Sequence, residues 1–390
     1  MGIFEMIALG LATLVGMVTV TVEPTDIYIE HIYVAEEYEQ LGLEEETVRL
    51  LLSQKIARIQ ADAGISPLDS DALRIDFDES AIAQFAEDLG IMRHVNNIQM
   101  ILDQVDHRMH ISIYSSEENE TEFRDIIEEL TVDIHLLETR SGRIIKSVKI
   151  KGPGEMLPLL EKVAENIIKL AKPGSHALGL FVKELPDSHR DKLIVDTSAP
   201  NNTFAGTEEF INEWLVIHGG GAYELLGVAH SRSYKARLME TRSKMYNLLG
   251  LIHMVEGELV YAAKSFRKVI QVNKNDASGY VNMGATLGYQ GHYDQALKFL
   301  RKGLALDKEK PITYLYAAAV LLKQGHYDKA LKVLDKLETM PLGTGIADLY
   351  KLKAEIYREL GRSGEAIKRL QQLERIAKFK NPYQFSVLTR

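Results

Sequence analysis

Apolar residues along this chain change period several times, and each change predicts an element. From Ile27 to Val34 apolar and polar residues alternate, the period of a strand with one buried face. Leu43 to Ala63 switches to helical spacing. Val48, Leu51, Leu52, Ile56 and Ile59 share one stripe, and Glu44, Glu45 and Glu46 crowd the first turn, where the helix dipole favours acids. Leu73 to Phe77 predicts a short strand, and Ser80–Leu89 and Ile91–Val105 predict helices. Three strands follow at His110–Tyr114, Leu130–Leu137 and Arg143–Ile150, the last two joined by a short loop ending at Gly142. Gly152-Pro153-Gly154 breaks the pattern, and Glu155–Ala171 is an amphipathic helix stopped by Pro173. Residues 25–172 therefore predict an N-terminal α/β-type domain.

Residues 173–242 read as a linker followed by a helical cap or degenerate repeat. Asp187–Phe204 is polar, and Gly219-Gly220-Gly221 separates helical patterns at Thr207–His218 and Tyr223–Met239. From Ser243 the chain repeats itself. Glycines recur at Gly257, Gly291, Gly325 and Gly361, and aromatics at Tyr246, Tyr280, Tyr314 and Tyr350. Alanines recur at Ala262, Ala296, Ala330 and Ala366, with Phe266, Leu300, Leu334 and Leu370 following them. The spacing is 34, 34 and 36 residues. This pattern resembles the tetratricopeptide repeat (TPR), a helix–turn–helix unit that stacks into a solenoid. Four repeats would begin at Ser243, Ala277, Pro311 and Ala347 and end near residue 378, leaving 379–390 as a tail. The expected fold class is α+β: the α/β-type domain, then an all-α solenoid.

The N-terminal 24 residues add a membrane question. Met6 to Val22 carries no charge over 17 residues, the low end of what a spanning helix needs. No Lys or Arg precedes it and Arg49 is the first basic residue, so the charge bias on orientation is slight and leans towards an outside body. A single anchor is the main expectation; a cleaved signal peptide or a buried core segment are the alternatives. The absence of cysteine removes disulfides, thiolate metal sites and cysteine nucleophiles. The net charge of −9 divides unevenly: residues 243–390 sum to +10 and residues 1–242 to −19.

Catalytic or metal-binding sets are not evident, and no cofactor is expected. His107 and His110 lie three apart at a strand start, where they face opposite ways. Asp69, Asp71, Asp76, Asp78 and Glu79 lack the spacing of a calcium loop. Gly219-Gly220-Gly221 is followed by no Walker Lys-Ser/Thr. Binding is the better expectation. The TPR resemblance places a concave surface on the first helix of each repeat, and the partner-binding candidates there are Asn247, Leu251, Met254, Val281, Asn282, Tyr289, Leu315, Tyr316, Leu322 and Lys323. They depart from the family's carboxylate clamp, of which only Asn247, Asn282 and Lys323 remain. A mainly apolar groove suits an amphipathic helix or apolar segment of a protein partner. The competing occupant is the chain's own tail, with Pro382, Tyr383, Phe385 and Val387. On the second helices Lys264, Lys298, Lys332 and Lys368 form a basic stripe, with Lys268, Lys302 and Lys336 beside it. The stripe lacks aromatics for base stacking, so no nucleic acid is expected.

The strand–turn–strand–helix ending of the first domain is similar to small α/β domains of bacterial envelope proteins, of curli-secretion and Tol–Pal type. The whole chain resembles membrane-anchored bacterial proteins with such a domain before TPRs. That resemblance implies a non-catalytic scaffold or assembly factor, anchored in the inner membrane with a periplasmic body and open to self-association. The alternatives are a cytosolic TPR adaptor, or a small-ligand sensor or enzyme in residues 25–172.

Overall fold

A computed structural model describes residues 25–39, 44–65, 73, 75–76, 105–115, 129–138, 144–153, 156–186, 197–218, 232–341 and 343–377. The apolar run Met6–Val22, the acidic cluster at 69–71 and 78–79, the helices expected over 80–104, the triple glycine and the tail lie outside these residues. The chain divides into two units, Met1–His176 and Ala177–Arg390.

The first unit is built on a sheet ordered β2-β1-β3-β4-β5. β1 (Thr25–Val34) pairs in parallel with β2 (Ile75–Asp76) and β3 (Val105–Ser115). β3, β4 (Glu129–Glu138) and β5 (Ile144–Pro153) form an antiparallel meander. The strands run several residues beyond their apolar alternation, because ladder hydrogen bonds continue where side-chain burial stops. Val105, assigned to a helix end from its spacing, opens β3 instead. After α1 (Glu36–Glu39), α2 (Glu45–Asp62) buries Val48, Leu52 and Ile56. α3 (Met156–Ala171) buries Leu159, Leu160, Val163, Ala164, Ile167 and Ile168. Both join the core of Ile29, Met109, Ile111, Ile113, Val132 and Ile134, one face of the sheet.

Pro173 ends α3 as expected but also starts α4 (Pro173–Glu184), a helix the linker reading left out. Proline suits a first helical turn, whose N–H groups have no partner within the helix. In the second unit Phe181 of α4 stacks on Phe204, with ring centroids 4.9 Å apart. Glu184 caps α5 (Ala205–His218), accepting from the Gly206 and Thr207 N–H groups at 3.1 Å. The boundary expected at Ser243 is not a break: α6 (Arg232–Val255) runs through it as one helix of 24 residues. Tertiary packing merges a pattern that the repeat register divides.

Among the described residues four helix pairs make up the array. α6 pairs with α7 (Leu259–Val272), α8 (Ala277–Tyr289) with α9 (Tyr293–Leu306), α10 (Pro311–Lys323) with α11 (Tyr327–Glu338), and α12 (Ala347–Glu359) with α13 (Ser363–Ala377). The recurring glycines sit at the turns with φ of +78°, +80°, +73° and +69°, a left-handed conformation that favours glycine. Within a pair the crossing is close: a Cβ added at Gly250 would stand 2.4 Å from Phe266 Cε1, and one at Gly284 2.7 Å from Leu300 Cγ. Small residues on the first helix thus receive the bulky residue of the second.

Candidate partner-binding groove

The first helices α6, α8, α10 and α12 stand side by side, each packed on its neighbours and on second helices. This brings the expected groove residues onto adjacent helices. Eight of the ten are buried. Leu251, Met254, Val281, Leu315, Tyr316 and Leu322 keep 7% exposure or less, as do Asn247 and Asn282. Tyr289 is 38% exposed, and the Lys323 side chain is 65% exposed. In α10 every residue from Ile312 to Leu322 except Ala319 is buried, so this helix presents no open apolar face. The fourth repeat differs: Lys351, Arg358 and Glu359 are exposed, while Asp348 and Leu352 at its start are buried.

The three polar groove residues are engaged internally. Asn282 Nδ2 donates to Asn247 Oδ1 at 2.8 Å, both side chains buried. Lys323 Nζ lies 3.9 Å from Glu355 Oε1. A buried amide satisfied by another amide offers little to a ligand carboxylate, so the clamp chemistry is absent from these positions.

The lysine rows separate. Lys298, Lys332 and Lys368 are exposed, and Lys264 sits 4.9 Å over the Tyr261 ring. The neighbouring row is used within the fold: Lys268, Lys302 and Lys336 lie 4.9, 5.9 and 5.6 Å from the rings of Tyr246, Tyr280 and Tyr314. Each of the first three repeats thus places a lysine of its second helix over the tyrosine of its first, a cation–π contact worth about 0.5–1 kcal/mol at an exposed site.

One polar cluster escaped the sequence reading. Glu208 of α5 meets His253 and Glu256 at the end of α6, with ligand-capable atoms within 4.8 Å of one another. Burial raises the pKa of both carboxyls and lowers that of the imidazole. Its geometry is that of a helix start. Glu256 accepts the Thr203 N–H at 3.0 Å, and His253 Nδ1 lies 3.1 Å from Glu258 Oε2. These contacts pin the turn before α5 to α6, and no sequence spacing marks them, since Glu208 stands 45 residues from His253.

Among the described residues no helix is long and apolar enough to cross a membrane. Residues 289–338 match the tetratricopeptide repeat family model. No curated protein matches the chain's sequence. Among solved structures, MamA is 18% identical with a TM-score of 0.34, over 46% of this chain and 96% of that one. YrrB, a TPR protein described as having an unusual peptide-binding site, is 14% identical with a TM-score of 0.32, over 46% and 88%. The TPR2B domain of yeast Sti1, in a pHsp70 complex, is 18% identical with a TM-score of 0.24, over 36% and 98%. The matched segment runs from the end of α8 through α9, α10 and α11, and the same two-helix unit recurs on both sides with its turn glycine. The helical array of this chain is a tetratricopeptide repeat array.

Proposed function

We propose that this protein is a non-catalytic scaffold whose concave TPR surface takes an apolar segment of a protein partner. The observation that carries this reading is the exposed edge of the first helices, at Tyr289 and Lys323, beside the strip formed by Leu251, Met254, Val281, Leu315, Tyr316 and Leu322. The strip is apolar and buried over the first three repeats and gives way to charge at the fourth. The strip itself is covered within the fold, so a partner meets the first helices at their exposed edge, at Tyr289 and Lys323. A helix or extended segment with apolar residues at regular spacing suits that edge, where Tyr289 is 38% exposed.

Tyr289 and Lys323, at the exposed edge, are the positions from which to test it. A photo-crosslinking residue at either site in the full chain should capture a discrete partner in the cells of origin. The same residue at Lys332, on a second helix, should not. Equal capture at all three sites would refute groove binding. Crosslinks from Tyr289 or Lys323 only to residues 379–390 would make the tail the occupant.

The envelope placement rests on the uncharged run Met6–Val22 and the slight charge bias after it. A C-terminal alkaline phosphatase fusion should be active if the body lies outside the inner membrane. An active green fluorescent protein fusion with inactive phosphatase would instead favour the cytosolic adaptor.

A further inference from the structure

The open face of the sheet carries a row of histidines drawn from three strands. His31 of β1 stands opposite His110 of β3, and His110 stands opposite His135 of β4. The buried residues Ile29, Ile32, Met109, Ile111, Ile134 and Leu136 point to the other face, so all three imidazoles share the polar side. His31 and His110 already face each other, with ring centroids 5.2 Å apart and planes inclined at 55°. His135 is turned the other way, its Nδ1 2.8 Å from Ser147 Oγ on β5.

We propose that His31 and His110 form a binding site for a divalent transition-metal ion of the zinc or copper class. Imidazole suits these ions among the common cations, and the chain has no thiolate to compete for them. The separation fits. A zinc–nitrogen bond of about 2.0 Å places each ring centroid about 3.2 Å from the metal, and a tetrahedral angle between two such ligands sets the centroids about 5 Å apart. The observed 5.2 Å matches that spacing. The ladder sets the two Cα positions opposite each other, just past a register shift between Ile29 and His31. Water completes the shell on the solvent side, because His31 is exposed. His135 is held aside by Ser147 and is not assigned as a ligand.

The test is a zinc titration of the full metal-free chain by calorimetry at pH 7.5, followed by copper and electron paramagnetic resonance. One zinc site is expected in the parent. His31→Ala and His110→Ala should each weaken it by about tenfold or more, a loss larger than His135→Ala produces. Copper should show coupling to two nitrogens, reduced in either variant. His253→Gln separates this site from the Glu208–His253–Glu256 cluster and should leave the titration unchanged. The proposal is overturned if zinc binding survives both His31→Ala and His110→Ala, if it is lost only in His253→Gln, or if the parent binds no zinc. Circular dichroism confirms that each variant retains its fold.

Discussion

Gly284→Ala tests whether the helices of each repeat cross as closely as the structure shows. Alanine normally stabilises a helix interior relative to glycine by about 1 kcal/mol. Here the added Cβ would lie 2.7 Å from Leu300 Cγ, 3.0 Å from Leu300 Cδ2 and 3.1 Å from the Ala296 carbonyl oxygen. Favourable carbon–carbon contact begins near 3.5 Å, so the overlap is about 0.8 Å. Leu300 is 1% exposed and Ala296 is fully buried, so neither neighbour has space to move into. Overpacking of this kind costs about 1–3 kcal/mol. Against the gain in helix propensity, the net expectation is a loss of about 1 kcal/mol. Gly364→Ala is the control, since a Cβ there meets nothing within 4 Å; it should be neutral or stabilising. Leu300→Ala removes both overlapping atoms, so the double mutant should show a coupling of about 0.5 kcal/mol or more. Urea unfolding followed by fluorescence of the single tryptophan, Trp214 in the helical unit, isolates the relevant transition. A Gly284→Ala protein as stable as Gly364→Ala, or no coupling to Leu300, would refute the close crossing.

Two further substitutions probe buried charge. Lys353 has no exposed surface; its ammonium meets Asp335 at 2.7 Å and also Glu338. Lys353→Ala should cost about 3 kcal/mol, mainly through the cavity its buried stem leaves, because the Asp335 side chain is 63% exposed and can rehydrate. Lys353→Met keeps the packed stem and should stay within about 1 kcal/mol of the parent in urea; equal losses would show that the carboxylates are stranded. At His176, burial lowers the pKa from 6.5 to about 4, with Lys169 adding to the effect. The unfolded chain therefore binds this proton first as pH falls. The stabilisation is whole above about pH 6.5 and lost towards pH 4, at about 1.4 kcal/mol per unit and about 3 kcal/mol in all. His176→Gln should flatten that part of the urea midpoint against pH, and an unchanged slope would refute the assignment.

The repeat array was legible from the sequence because each of its constraints is local. A turn needs glycine at positive φ, a crossing needs a small residue, and both recur with the unit that requires them. The Gly257, Gly291, Gly325 and Gly361 turns stand where the period placed them, and the close crossings fall at Gly250 and Gly284. The strands were equally legible through their alternation, apart from their ends. What the period could not decide was exposure. Leu315 and Tyr316 occupy groove positions by register, yet burial depends on every atom packed around them, which no periodicity records. Nor could sequence pair distant residues. The stacking of Lys302 over Tyr280, the Asn247–Asn282 bond and the opposition of His31 to His110 each join residues whose separation along the chain carries no signal. Local geometry is written in spacing, whereas a site assembled from separate strands or repeats exists only once register and packing have brought its members together.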